Sequence, residues 1–95
     1  MTHTYSTPKP APPKISILQK SDHFKIILLE LEKGSKLEKH TAPARAKIFV
    51  VSGTIEYRSL REIIPLTCSD SYDIPLEEVH EVVALKPSKF LLIVG

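Results

Sequence analysis

The amino-acid sequence predicts an all-β domain, built as an antiparallel sandwich or barrel. Short strand-like segments follow one another from residue 15 onward, with turn signals between them. No stretch has a convincing helical period; LEKGSKLEKH (31–40) has a helix-like composition, but Gly34 interrupts it. The 95 residues are enough for one modest hydrophobic core and too few for two.

The predicted strands are bounded by glycine, proline and small polar residues. FKIILLEL (24–31) is rich in β-branched and aromatic residues, and burial on both sides explains its nearly continuous apolar character. REIIPLT (61–67) contains Pro65, which places this segment near a sheet edge or a strand end. The other predicted strands, in chain order, are ISILQ (15–19), AKIFVVS (46–52), TIEYRS (54–59), YDIP (72–75), VHEVVAL (79–85) and KFLLIV (89–94).

The first 14 residues differ in composition from the rest of the chain. They hold four of the eight prolines: Pro8, Pro10, Pro12 and Pro13. Proline removes amide donors and favours an extended polyproline II conformation. We therefore expect an extended, poorly ordered N-terminal arm over residues 1–14 and a β domain over residues 15–95. A partner-binding proline motif is the alternative interpretation of the arm.

Composition and charge argue against several classes of protein. The net charge is +2 and the basic residues are scattered, which does not predict a nucleic-acid-binding surface. No apolar run approaches the roughly 20 residues that span a bilayer, so no membrane association is expected. The first residues lack the apolar centre of a signal peptide. Cys68 is the one cysteine and cannot form an internal disulfide, which favours a reducing, cytoplasmic location.

Two spaced motifs carry a family resemblance. In the first, Gly34 is followed by five residues and then His40, and Gly53 ends the next strand. In the second, Pro75 and His80 stand five residues apart, after the segment LTCSDSYDIP (66–75). On these residues the chain resembles a small single-domain cupin over about residues 24–94. The resemblance implies a double-stranded β-helix, or jelly-roll barrel, of antiparallel strands; a different small β-sandwich is the alternative.

The departures from the cupin motifs concern mainly the metal ligands. Cupins usually hold a metal with three histidines and a glutamate, and only His40 and His80 match this set. The second histidine of the first motif is replaced by an alanine, as are its glutamate and the asparagine of the second motif. Two glycines are also replaced. The changed positions are Ala42, Ala46, Ala84, Ser69 and Glu77, whereas Asp70, after the first lost glycine, matches the family.

Strand alternation predicts which residues share a face. In VHEVVAL, His80 shares a face with Val82 and Ala84, and His40 would share one with Ala42 if that stretch is extended. The resemblance places these faces inside the barrel, as a mostly apolar pocket of the kind that binds small molecules. The predicted lining is His40, Ala42, Ala46, Ile48, Val50, Tyr57, His80, Val82 and Ala84.

The two histidines allow several kinds of chemistry. Two imidazoles alone would hold a divalent transition metal (Fe, Mn, Zn or Ni) only weakly, because stable sites use three or four protein ligands. Glu78 could complete a two-histidine, one-carboxylate set suited to ferrous iron, if the strand begins that early. Without metal, His40 and His80 could act as general acid or base, or bind a ligand by hydrogen bonds. The structural alternative is a pair of buried, hydrogen-bonded histidines.

Three functions therefore remain open. The leading hypothesis is a cytoplasmic cupin-like protein that binds a small organic ligand without a strong metal site. The second is a metal-dependent isomerase or oxygenase that uses His40, His80 and Glu78. The third is a non-catalytic structural or interaction module. We also expect a homodimer, because Phe49 and Val51 form a second apolar face that needs covering, and the arm could cross to the partner.

Overall fold

The computed structural model describes residues 9–40 and 44–95, and for residues 39 and 40 it describes the backbone alone. Within these ranges the chain forms strands and no helix, which confirms the all-β prediction; no helix there could cross a membrane. The strands are β1 (Lys14–Lys20), β2 (Lys25–Leu31), β3 (Lys36–His40), β4 (Ala46–Ser52), β5 (Thr54–Ser59), β6 (Ile63–Thr67), β7 (Ser71–Ile74), β8 (His80–Ala84) and β9 (Ser88–Val94).

The strands form two sheets. The first sheet has the order β1-β2-β9-β4-β7, and the second has the order β3-β8-β5-β6. All neighbouring strands are antiparallel. Apart from the pairs β1–β2 and β5–β6, strands that are adjacent in sequence lie in different sheets, so the chain crosses repeatedly from one layer to the other. This double-sheet arrangement is the predicted jelly roll.

The core lies between the two sheets. Strand β4 alternates buried and exposed positions, with Ile48 and Val50 turned inward. Ile55 and Tyr57 of β5 and Val82 of β8 meet them from the second sheet. Each fully buried aliphatic side chain of this kind stabilises the fold by about 1.5–3 kcal/mol. Period-two alternation in the sequence grouped these side chains on shared faces, and the family resemblance placed those faces inside the barrel.

Strand β3 was not predicted as a strand. Its segment has a helix-like composition, but it pairs with β8 through Lys36↔Val83, Leu37↔Val82 and His40↔His80, with a register shift between the last two pairs. Pairing with a buried strand outweighs weak local propensity. Gly34, with φ at 83°, forms the turn that precedes β3.

Strand β6 confirms the expectation from its proline. Pro65 lies opposite Glu56 of β5, and β6 forms one edge of the second sheet. A proline cannot donate a backbone hydrogen bond, so it is tolerated where the strand has a partner on one side only.

The turn at Gly53 brings two loops into close contact. Its φ is 87°, and a Cβ at this position would lie 2.5 Å from the carbonyl oxygen of Pro87 and would overlap Ser88 Oγ. Ser88 Oγ accepts a hydrogen bond from Thr54 N (3.0 Å) and lies 2.7 Å from the carbonyl oxygen of Lys86. The buried hydroxyl therefore ties the β4–β5 turn to the β8–β9 turn.

The two family glycines that this chain lacks stand at left-handed positions. Ser69 has φ of 73° and Glu77 has φ of 63°. A left-handed conformation costs an L-residue with a side chain roughly 1–2 kcal/mol. Asp70 stabilises the first turn, because its Oδ2 accepts a hydrogen bond from Thr67 N at 2.8 Å. Both positions thus adopt a conformation that favours glycine, although neither residue is a glycine.

The described part of the arm lies against the β2–β3 turn. Ala11 N donates to Glu32 Oε2 (2.8 Å), and Ser35 Oγ donates to the carbonyl oxygen of Ala11 (2.9 Å). Strand β1 begins at Lys14. Most of the predicted arm, residues 1–8, lies outside the described residues, so the division into arm and domain stays a prediction.

Candidate functional site

One end of the sandwich collects the candidate site residues. Ser59, at the end of β5, pairs with His80, at the start of β8, and Ala46 pairs with Ile74 in the other sheet. The loop over residues 75–79 joins β7 to β8, so these strand ends lie at the same end of the sandwich. Glu78 lies in this loop. Side chains from both sheets therefore meet around it.

His80 is the most constrained polar residue of the site. It is only 2% exposed, and its Nδ1 lies 2.9 Å from the backbone oxygen of Glu78. A carbonyl oxygen can only accept, so Nδ1 carries the proton. The imidazole stacks on the ring of Tyr57, with centroids 4.9 Å apart and planes 24° apart. Both contacts set the orientation of the imidazole ring.

Tyr57 connects His80 to a carboxylate. Its side chain is 0% exposed, and its hydroxyl donates a hydrogen bond to Glu78 Oε1 at 2.7 Å. Burial raises the pKa of Tyr57 well above the usual value, and the hydrogen bond to Glu78 and the charge of that carboxylate raise it further. Tyr57 is therefore a neutral hydrogen-bond donor at physiological pH.

Tyr72 of β7 completes a row of three rings. Its ring centroid lies 4.7 Å from that of Tyr57, with the planes tilted by 49°. Burial raises the pKa of Tyr72, as do the charges of Glu62 and Glu78, and Arg61 opposes the effect. The row runs from His80 through Tyr57 to Tyr72 and thus links β8, β5 and β7 across the two sheets.

The structure brings most of the predicted pocket residues into one buried cluster. Ile48, Val50, Tyr57, His80, Val82 and Ala84 are almost fully buried, and Ala46 is half-buried beside them. For His40 the backbone shows the register pairing with His80. Ala42 lies outside the described residues. That this cluster surrounds a ligand pocket stays a prediction.

Two residues of the site were placed poorly or missed from the sequence. Glu78 was considered from the sequence as a possible metal ligand, but its half-buried carboxylate accepts a hydrogen bond from Tyr57. Tyr72 was not considered as a site residue at all. Alternation could have found it, because Tyr72 stands two positions before the buried Ile74 and opposite the buried Ile48. No sequence pattern reveals the direction of a loop side chain such as that of Glu78.

The described residues do not fit a metal centre by themselves. Among them no group of three or more histidine, cysteine, aspartate or glutamate side chains is close enough to hold an ion. One oxygen of Glu78 already accepts a hydrogen bond from Tyr57. A site built on His80 and Glu78 would need a further ligand, and three are the usual minimum.

A recess of about 240 Å³ reaches His80 from the surface. Three exposed aliphatic side chains, Leu60, Ile63 and Val79, contribute to its wall. The remaining lining residues are Arg58, Ser59 and Glu81. The recess is small and mixed in polarity, so it can admit only a small molecule.

Comparison with known proteins finds structural likeness without close sequence relatives. No protein-family model matches the sequence, and no curated protein matches it. A cupin superfamily protein from Desulfitobacterium hafniense superposes with a TM-score of 0.81 at 18% identity, over 86% of this chain and 75% of that one.

Two further solved structures agree with this likeness. An RmlC-like cupin from Desulfovibrio desulfuricans gives a TM-score of 0.80 at 18% identity, over 100% of this chain and 97% of that one. KdgF from Halomonas sp. gives 0.78 at 21% identity, over 86% and 76% of the two chains. At these identities the likeness establishes the fold alone. The chain therefore has the cupin fold, a small double-stranded β-helix of antiparallel strands.

Proposed function

We propose that this cupin-like protein binds a small organic ligand at the Tyr57–Glu78–His80 cluster, without a strong metal site. The observation that carries the proposal is the buried imidazole of His80, which is oriented by the backbone oxygen of Glu78 and by stacking on Tyr57. A mostly apolar interior with a few oriented polar groups is typical of small-molecule sites. The recess that reaches His80 supplies a route from solvent.

The competing explanation is that the cluster only stabilises the fold. Among the residues that the structure describes, no buried side-chain nitrogen or oxygen lacks a hydrogen-bond partner, as in ordinary protein cores. A binding experiment separates the two. A panel of small neutral, acidic and basic organic molecules is screened by thermal shift against the wild type, His80→Ala and His23→Ala, a control in the exposed β1–β2 turn.

Ligand binding predicts that at least one compound raises the melting temperature of the wild type and of His23→Ala but not of His80→Ala. His40→Ala is expected to weaken the binding of the same compound, because the backbone of His40 pairs with that of His80. If binding and its pH dependence are unchanged in both His40→Ala and His80→Ala, the proposal is wrong. A protein that binds nothing in the panel would favour the structural or interaction module.

One observation favours the metal-dependent enzyme as a second candidate. The backbone register pairs His40 with His80, and Glu78 lies two residues before His80 in the chain. An isomerase or oxygenase would require a retained Fe, Mn, Zn or Ni ion on this set. Elemental analysis of protein grown in metal-supplemented medium decides: less than about half an equivalent after dialysis excludes a tight site of this kind.

We also propose that the protein is a cytoplasmic homodimer. The outer face of the first sheet carries Phe49 and Val51, 37% and 42% exposed, next to the half-buried Leu28 and Leu91. Ion pairs bound this patch at both ends, with Lys47 Nζ 3.5 Å from Asp73 and Lys89 Nζ 3.5 Å from Glu30. A second copy would cover the apolar patch. The exposed free thiol of Cys68 fits a reducing compartment.

A further inference from the structure

We propose that Tyr57 and Glu78 are positioning residues for His80, and that their hydrogen bond determines which nitrogen of the imidazole carries the proton. Tyr57 holds the side chain of Glu78, and the backbone oxygen of Glu78 accepts a hydrogen bond from Nδ1 of His80. One loop residue thus connects the phenol to the imidazole. This inference rests on the proposed function, because it concerns the same histidine, but its test requires no ligand.

Tyr57 is the rigid end of this connection. It lies within β5, its side chain is fully buried, and its ring contacts those of His80 and Tyr72 at centroid distances of 4.9 and 4.7 Å. A ring packed in this way holds its hydroxyl at one place in the interior. The 2.7 Å hydrogen bond from this hydroxyl therefore ties the side chain of Glu78, in the β7–β8 loop, to the second sheet.

The loop backbone around Glu78 depends on this tie. Glu77, the preceding residue, has a left-handed φ of 63°, which is unfavourable for a residue with a side chain. The turn is closed by a hydrogen bond from Glu78 N to the carbonyl oxygen of Pro75, which is long at 3.4 Å. Leu76 and Val79, on either side, are exposed and add little packing. The bond to Tyr57 is shorter than both other hydrogen bonds described for Glu78.

The position of the loop backbone determines the tautomer of His80. The backbone oxygen of Glu78 lies 2.9 Å from Nδ1. The tautomer of a neutral imidazole is set by the hydrogen bond that one of its two nitrogens makes. While the loop holds this oxygen in place, the proton stays on Nδ1, and Nε2 is the basic nitrogen of the ring. The tie to Tyr57 thus decides which atom of His80 can take up a proton or accept a hydrogen bond.

Stacking of Tyr57 on His80 is a separate effect, because it orients the plane of the ring without favouring either tautomer. Two variants distinguish the effects. Tyr57→Phe keeps the stacked ring and removes the hydroxyl, and Glu78→Ala keeps the backbone oxygen and removes the carboxylate. Neither variant removes the acceptor of Nδ1. A change of tautomer in both would therefore show that the side-chain hydrogen bond acts through the loop backbone.

Nitrogen NMR of the imidazole rings measures the tautomer directly. The full chain carries isotope-labelled histidine, and the buffer contains a chelator at a pH above about 8, where ordinary histidines are neutral. The signals of His80 are assigned by their loss in His80→Gln. We expect the Nδ1–H form in the wild type. The ratio of the Nε2–H to the Nδ1–H form should rise about fivefold in Tyr57→Phe and in Glu78→Ala, as for the loss of one neutral hydrogen bond.

Two control variants should keep the wild-type tautomer. In Glu78→Gln an amide oxygen can still accept from the hydroxyl of Tyr57. Glu77→Ala is the same truncation as Glu78→Ala at the exposed preceding residue.

The inference is overturned by an Nε2–H tautomer in the wild type, or by an unchanged ratio in folded Tyr57→Phe or folded Glu78→Ala. A change in Glu78→Gln or Glu77→Ala as large as that in Glu78→Ala also overturns it. All these results leave the proposed function standing, because the binding screen decides separately whether the site takes a ligand.

Discussion

At the scale of single residues, two glycines with nearly the same backbone conformation have different surroundings. Gly53 and Gly34 have φ of 87° and 83°. A Cβ on Gly53 would overlap the backbone of Pro87 and Ser88, whereas one on Gly34 would meet Pro10 Cγ at an ordinary 3.6 Å. The conformational cost is therefore shared by both positions, and the steric cost belongs to Gly53 alone.

This difference predicts unequal stability losses. Gly34→Ala should lower the free energy of unfolding by about 1 kcal/mol, the cost of a left-handed alanine. Gly53→Ala should lower it by more than about 3 kcal/mol, because two turns must also separate. Urea denaturation of both variants measures the difference. Equal losses would show that the contact at Gly53 relaxes without cost.

The replaced family glycines allow a stabilising change. Ser69→Gly and Glu77→Gly should each raise the free energy of unfolding by up to about 1 kcal/mol, because glycine adopts a positive φ without strain. Ser71→Gly, in strand β7, is the matched control and should destabilise the protein. Denaturant unfolding distinguishes the signs, and destabilisation by both substitutions would contradict the strain argument.

The raised pKa of Tyr57 predicts a stability change at alkaline pH. The folded protein holds this proton more tightly than the unfolded chain, where the pKa is near 10.0. Ionisation of Tyr57 should therefore leave the free energy of unfolding unchanged below that value and should decrease it as the pH rises above it. Denaturant unfolding across this range should show a smaller decrease in Tyr57→Phe than in the wild type.

A second effect of the same variant appears at neutral pH. Tyr57→Phe removes the hydrogen bond to the carboxylate of Glu78 and should cost about 2 kcal/mol there. Tyr72→Phe is the comparison, because Tyr72 is less buried and has no hydrogen bond to that carboxylate among the contacts that the structure describes. For the alkaline prediction, an equal decrease in the free energy of unfolding with pH in the wild type and in Tyr57→Phe would show that folding does not raise the pKa of Tyr57.

At the scale of elements, the position of a strand in its sheet determines its stability. Strand β9 lies between β2 and β4, and β8 lies between β3 and β5, whereas β1 has β2 as its partner at the edge of the first sheet. Ile15 and Ile17 of β1 are largely exposed although they lie on the core side of the sheet, as the register with Leu29 and Ile27 shows. Strand β1 therefore contributes little to the core.

Hydrogen exchange of the backbone amides should be slow in the central strands β8 and β9 and faster in the edge strand β1. Amides of β8 and β9 are expected to exchange only through global unfolding, and amides of β1 at least about tenfold faster through local opening. Exchange measured by nuclear magnetic resonance on the backbone amides tests the order. Protection of β1 equal to that of β9 would contradict it and would indicate that another surface covers the edge strand.

At the scale of the whole molecule, the outer face of the first sheet predicts self-association. Phe49→Lys places a charge in the apolar patch and should convert a dimer into a monomer, as measured by sedimentation velocity. Leu60→Lys is the control, because Leu60 is 93% exposed in the β5–β6 turn and away from the patch. A wild-type protein that sediments as a monomer at all concentrations would exclude the dimer.

The sequence alone determined the fold class, most strands and the buried face of each. Ile48 and Val50, Tyr57, and His80 are all buried, on faces that the family resemblance placed inside the barrel. The cause is local, because a strand with one buried face has an apolar residue at every second position. The spacing of glycine, proline and histidine then pointed to the cupin fold.

Only the tertiary structure decided what surrounds each polar group. Strand β3 exists because β8 pairs with it, and Tyr72 meets Tyr57 because β7 and β5 belong to sheets that face each other. Glu78 accepts a hydrogen bond from the hydroxyl of Tyr57 because the loop after β7 directs the side chain of Glu78 inward. Contacts between distant segments depend on how the sheets close on each other, and no local pattern in the chain encodes that.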